Sequence, residues 1–260
     1  MNFLYRSRAL RRFFDCRFAA AEAELSRRTL ADNVRAERPA VDWTDVSGLS
    51  DLRSFYSFHD QNCPDVTAIR TSALWHSHFR GKYPLHLESD AALAYRCADV
   101  DGGWRFSSDA TPDTWIYLIS RQVLPTTYAI EFDYTPYGVF KEQLQLDWAA
   151  TSLAERHRFI LTYNEYVRYQ RLVRGFLLND VDRAPCSLKL GEPSRVRLEV
   201  VEQTFALVID GRTVSCWRDR GYQPRPSRGF LLFWNGPDAR PMDFRISGFR
   251  YQVPQNFFGG

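Results

Sequence analysis

Lysine is nearly missing from this chain. Of its 34 basic residues only Lys82, Lys141 and Lys189 are lysines, so almost all positive charge is guanidinium, suited to flat, two-pronged recognition of carboxylates. Net charge is also scarce: +3 over 260 residues is too little to imply a nucleic-acid partner. The cysteines are few and odd in number. Cys16, Cys63, Cys97, Cys186 and Cys216 are scattered and never in C-x-x-C spacing, which excludes a disulfide framework and a zinc ribbon. No apolar run approaches the roughly 18 residues of a membrane span, and arginines interrupt residues 3–18 where a signal-peptide core would lie. No membrane partner and a cytoplasmic location are therefore expected. Gly-x-Ser-x-Gly, Walker and dinucleotide glycine motifs are absent as well, so neither the hydrolase elbow nor a phosphate loop is read here.

What the chain has is aromatic side chains, 13 Tyr, 19 Phe and 7 Trp. Large β-sandwiches use them in the core, and sugar-binding faces use them as stacking platforms. Residues 3–37 carry Phe3, Leu4, Leu10, Phe13, Phe14, Phe18, Ala21 and Leu25 at helical spacing with Arg and Glu between. There is no Gly or Pro before Pro39. The expectation is an N-terminal α-helical extension over 1–40 that packs on the rest of the chain or on a second copy, giving a homo-oligomer. The remainder, 41–260, reads as one β domain.

In that domain Ile130, Phe132 and Tyr134 alternate with Ala129, Glu131 and Asp133, the period of a half-buried strand. Residues 143–148, 195–201 and 205–209 repeat the alternation, and Asp210-Gly211 is a hairpin turn. Strands every 10–15 residues without helices between them mean antiparallel pairing in a sandwich or barrel. With Arg195-Val196-Arg197-Leu198-Glu199-Val200, the strand over 205–209, residues 229–234 and Phe244-Arg245-Ile246, the segment from about Ser47 to Tyr251 resembles the concanavalin A-like lectin/glucanase superfamily. That resemblance implies an all-β fold, a jelly-roll β-sandwich, and a carbohydrate or glycoside as partner. No cofactor follows from the residues; the resemblance leaves room for a structural Ca2+.

Two constellations carry the candidate chemistry. Glu131 and Asp133 sit two apart on one strand, about 7 Å from each other on one face. Laminarinase-like members of the superfamily place alternate carboxylates this way. Here Thr135 and Pro136 stand where the third acid would be, so the two-carboxylate mechanism needs Glu142 or Asp147 from the next strand. The second set is His157, Tyr163, Asn164, Tyr166, Tyr169, Arg171 and Arg174, with Gln143 and Gln145 beside it. Jelly-roll polysaccharide lyases use such types to neutralise a uronate, take a proton and protonate the leaving oxygen, but their Tyr-Phe-Lys and Gln-Ile-His runs are absent. Parity puts Tyr163, Tyr169 and Arg171 on one face and Tyr166 and Arg174 on the other.

The catalytic candidates are thus Glu131, Asp133, His157 and Tyr163, and the substrate-binding candidates Gln143, Gln145, Asp147, Tyr169, Arg171 and Trp234. They fit a glycoside hydrolase, a lyase or simple sugar binding on the concave face. The competing reading is a non-catalytic assembly protein whose N-terminal helix docks a partner. His76-Ser77-His78 with His86, Glu88 or Asp90 has zinc-like residue types, but in a stretch read as loop, so no metal site is expected.

Overall fold

The structure is a computed structural model, and it describes residues 32–46, 55–57, 95–100, 103–108, 115–120, 123–139, 142–152, 155–162, 166–173, 176–186, 188–234 and 240–258. Sixteen strands follow in chain order among the described residues: β1 (Asn33–Arg35), β2 (Trp43–Asp45), β3 (Phe55–Ser57), β4 (Tyr95–Val100), β5 (Gly103–Ser108), β6 (Trp115–Ser120), β7 (Thr127–Pro136), β8 (Glu142–Ser152), β9 (Glu155–Thr162), β10 (Tyr166–Val173), β11 (Phe176–Pro185), β12 (Ser194–Val201), β13 (Thr204–Ile209), β14 (Arg212–Asp219), β15 (Arg228–Trp234) and β16 (Asp243–Pro254).

They form two antiparallel sheets. One runs β1-β14-β13-β12-β7-β16-β5-β4, with β2 added along the far half of β16; the other runs β11-β10-β9-β8-β15-β6-β3. The chain crosses between the sheets at β2–β3, β3–β4, β5–β6, β6–β7, β7–β8, β11–β12, β14–β15 and β15–β16, so the core is closed from both sides by interleaved strands. This is a jelly-roll β-sandwich.

Its interior comes from the alternation visible in the sequence. Ile130, Phe132 and Tyr134 of β7, Val196, Leu198 and Val200 of β12, and Leu144, Leu146 and Trp148 of β8 are all buried in one cluster. Trp148 is its hub, with ring centroids 4.6 Å from Phe159 and 5.3 Å from Phe205. Asp210 and Gly211 take positive φ, 50° and 78°, between β13 and β14, as the two central residues of a type I′ hairpin turn do.

The N-terminal segment differs from its expectation. Residues 1–31 lie outside the described residues, but Asn33–Arg35, within the stretch read as helical, is a strand paired with β14. The helical spacing there is overridden because Asn33 is drawn into a buried polar cluster and the ladder satisfies its backbone. The chain then crosses the outside of the larger sheet and joins its other side as β2. The histidines 76, 78 and 86, with Glu88 and Asp90, also lie outside the described residues.

Candidate functional site

The residues singled out in the sequence fall in three places. Glu131 and Asp133 are on the outer face of the larger sheet. β12 lies beside β7 in a register that sets Arg195 against Asp133 and Arg197 against Glu131. Arg195 forks onto Asp133, its Nη2 donating over 3.1 Å, and its Nη1 reaches Glu131 at 3.3 Å. Arg197 donates to Glu131 at 3.2 Å and to Glu199 at 2.6 Å. The hydrogen bonds it donates to Asp133 hold the Arg195 guanidinium above its ordinary range. Both carboxylates are thus tied into a guanidinium ladder instead of opposing each other across a cleft.

His157, Tyr169 and Arg171 turn the other way, into the sandwich. Register aligns Trp148 with His157 and His157 with Arg171. The Tyr169 hydroxyl donates to Asn33 Oδ1 at 2.9 Å and stands 2.8 Å from His157 Nδ1. With the hydroxyl proton committed to Asn33, Nδ1 of the imidazole is the protonated nitrogen. Nε2 has no hydrogen-bond partner among the described residues and lies 3.6 Å from Asp219 Oδ2, which Arg171 Nε approaches at 3.5 Å. Burial, helped by the Arg171 charge, pushes the imidazole well below its usual range. Burial and the Asp219 charge push the Tyr169 phenol well up. Asp219 is raised by burial against the pull of Arg171. Rings of Trp148, Phe205 and Tyr222 enclose the imidazole, so His157 and Tyr169 meet no solvent, while Arg171 is half-buried.

Gln145 and Asp147 occupy the third place, the face of the seven-stranded sheet turned away from the core. The same alternation that sends Leu144, Leu146 and Trp148 inward sends these two outward. Asp147 is register partner to Arg158, and Arg158 to Gln170; Gln145 partners Ile160, and Ile160 partners Arg168. Arg158 donates to Asp147 through Nε at 2.7 Å and Nη2 at 3.0 Å, while Arg156 Nε lies 2.7 Å from the same carboxylate. Gln145, Asp147, Arg156, Arg158 and Gln170 are all buried, and Arg168 is half-buried. Ala149, next along β8, is held at φ 49° where the registers with both neighbours slip. A left-handed alanine costs about 1–3 kcal/mol, and such bulges re-aim neighbouring side chains.

The sequence missed Arg156, Arg158 and Gln170. Each alternates with a residue it did single out, His157, Tyr169 or Arg171, and that alternation was the signal. Tyr163 lies outside the described residues; Gln143 lies in β8 where the registers with both neighbouring strands slip, and Trp234 stands opposite Trp115 and Glu142. Glu131 and Asp133 are therefore on one sheet, Gln145 and Asp147 on the other, and His157, Tyr169 and Arg171 between them. Among the described residues no group of three or more His, Cys, Asp or Glu could hold a metal ion. No helix among them is long and apolar enough to cross a membrane.

No protein-family model matches the chain, and no curated protein sequence matches it. Solved structures do. The carbohydrate-binding module CBM66 from Bacillus subtilis aligns with 62% of this chain and 96% of its own at 12% identity and a TM-score of 0.45. Alginate lyase A1-II', a member of polysaccharide lyase family 7, aligns with 60% of this chain and 82% of its own at 12% identity and 0.46. The exoplasmic/lumenal domain of VIP36, in its Ca2+/Man3GlcNAc-bound form, aligns with 60% and 81% at 9% identity and 0.43. These are likenesses of fold.

Proposed function

We propose that this chain binds a carbohydrate or glycosylated small molecule on the outward face of its seven-stranded sheet, without cleaving it. One observation carries the reading: three adjacent strands, β8, β9 and β10, bring Gln145, Asp147, Arg156, Arg158, Arg168 and Gln170 to one side of the sheet. On a sheet face turned from the core they set two amides beside a carboxylate gripped by two guanidiniums. These are groups that hydrogen-bond sugar hydroxyls. They would form the floor of the site, with half-buried Arg168 the most accessible contact. The proposed partners include no nucleic acid and no membrane.

Binding is favoured over cleavage because the catalytic candidates His157, Glu131 and Asp133 lie elsewhere, and Asp147 is held by two arginines. His157 and Tyr169 hydrogen-bond each other inside the core, and Glu131 and Asp133 answer arginines on the opposite sheet. The test is a calorimetric panel of neutral and acidic oligosaccharides, with product analysis for new reducing ends and for unsaturated sugars. A binder should emerge without product. Arg168→Ala should weaken it about ten-fold or more, roughly one or two lost hydrogen bonds, with an unchanged melting curve as the control. A panel with no binder, or turnover that survives in the Glu131→Gln chain and vanishes in His157→Gln, overturns the reading.

A further inference from the structure

The larger sheet carries a feature that the carbohydrate reading does not use. Between β1 and β2 the chain runs over its outer face from one side to the other. The sheet order puts β1 and β2 six strand spacings apart, about 29 Å, and the eight residue steps from Arg35 to Trp43 reach roughly 27 Å when extended. The segment has little slack, so it cannot peel up in the middle while both ends stay docked.

Beneath it lies a row of small side chains. Cys216, Ala206, Glu199, Ala129 and Gln252 are successive register partners across β14, β13, β12, β7 and β16. Ala129, Ala206 and Glu199 are fully buried, although they point away from the core, and Cys216 is nearly so. Arg38 crosses above this trough and forks onto Glu199, with both bonds at 2.6 Å. The Ala36 amide donates to the Cys216 carbonyl, and the Gln255 amide to that of Asp42. At the far end Arg197 stacks 5.3 Å from the Trp43 ring centroid, and Gln252 donates to Asp45 at 2.7 Å.

Every residue from 36 to 46 is exposed or half-exposed. The strap therefore covers the trough without being buried itself. Glu199 keeps a second guanidinium, Arg197 at 2.6 Å, so lifting Arg38 away would not leave a buried charge alone. Opening would uncover two alanines, a cysteine and that paired carboxylate, would free Arg197 from Trp43, and would lift half-exposed Val46 from the edge of the core. By contrast β1 is anchored by buried Asn33 under the Tyr169 hydroxyl.

We propose that residues 36–46 are a reversible strap that opens as a unit from its β2 end, with β1 as the hinge, while the sandwich stays folded. Segments with few buried contacts open at low cost relative to global unfolding. Cys216 is the built-in reporter. Beside Arg38 and Glu199, its thiol is pushed up to about 11 by burial first and by the Glu199 charge next. Cys186, buried elsewhere and also raised to about 11, is the internal control.

The experiment is alkylation of the full native chain, with each cysteine followed by peptide mass spectrometry across a series of low urea concentrations. Cys216 should label faster than Cys186 and with weaker dependence on urea. Arg38→Ala should speed Cys216 about two- to five-fold, as expected for one partly exposed ion pair, and leave Cys186 unchanged. Arg38→Lys should restore part of the protection. If Cys216 labels only in step with Cys186, at the rate and urea dependence of global unfolding, there is no strap opening. An Arg38→Ala chain that speeds both thiols equally overturns the proposal in the same way. Neither outcome bears on sugar binding, which is assigned to the other sheet.

Discussion

Asp133 with Arg195 and Asp147 with Arg158 are the same forked ion pair built on the two sheets of one sandwich. In each, a strand register sets the carboxylate directly beside the guanidinium. Their depth differs: the side chains of the first pair are 25% and 45% exposed, those of the second 0% and 8%. Water already solvates the first pair, so the contact adds little. The second has given up its water, and each partner depends on the other. The comparison teaches that chemical identity of a pair says little about its role until its face and depth are known. A shallow ladder fits a surface that must stay soluble, whereas a buried, doubly gripped carboxylate holds a polar floor in one geometry.

The sharpest way to break this comparison is to remove one acid from each pair. Asp147→Ala should destabilise the fold by about 3–5 kcal/mol by leaving two guanidiniums without their carboxylate. Asp133→Ala should cost less than about 1 kcal/mol. Urea denaturation of both chains measures the difference, and equal losses would mean that depth does not separate the faces.

A third carboxylate, Asp219 beside His157, sharpens the comparison through pH. The folded state holds His157 neutral, well below its usual range because of burial, while the unfolded imidazole protonates near 6.5. Below that pH the unfolded state binds the extra proton, so stability falls as pH drops, by up to about 1.4 kcal/mol per unit. Asp219, raised by burial, works oppositely, since its folded carboxyl takes a proton before its unfolded one. The stability difference between wild type and His157→Gln, followed from neutral pH downward, isolates the histidine and should shrink with acid. A constant difference would mean that the imidazole is charged in the folded chain.

The smallest effect is salt. Raising ionic strength should reduce further the already small cost of Asp133→Ala, because exposed charges are screened, and should leave that of Asp147→Ala nearly unchanged. Denaturation midpoints in low and high salt check it.

The sandwich was legible because β7, β8, β12 and β13 alternate cleanly, and because Asp210-Gly211 marks a two-residue turn. Alternation also divided the candidates by face, but it could not say which face was inner. Tyr169 and Arg171 share a side, as their spacing implies, and that side is the core, where aromatic rings and a hydroxyl relay absorb them. Glu131 and Asp133 share a side too, yet their partners Arg195 and Arg197 stand more than sixty residues away, a distance over which spacing carries no information. The strap was hidden for another reason. Residues 33–35 continue a helical rhythm, and only the pairing of β1 with β14 and the buried seat of Asn33 make them a strand.

Hydrogen–deuterium exchange with and without a saturating oligosaccharide tests the central claim most directly. The account predicts slower exchange over β8, β9 and β10, at residues 144–148, 156–161 and 166–171, with β7 and β12 unchanged. Protection that falls instead on β7 and β12, around Glu131, Asp133 and Arg195, would contradict it.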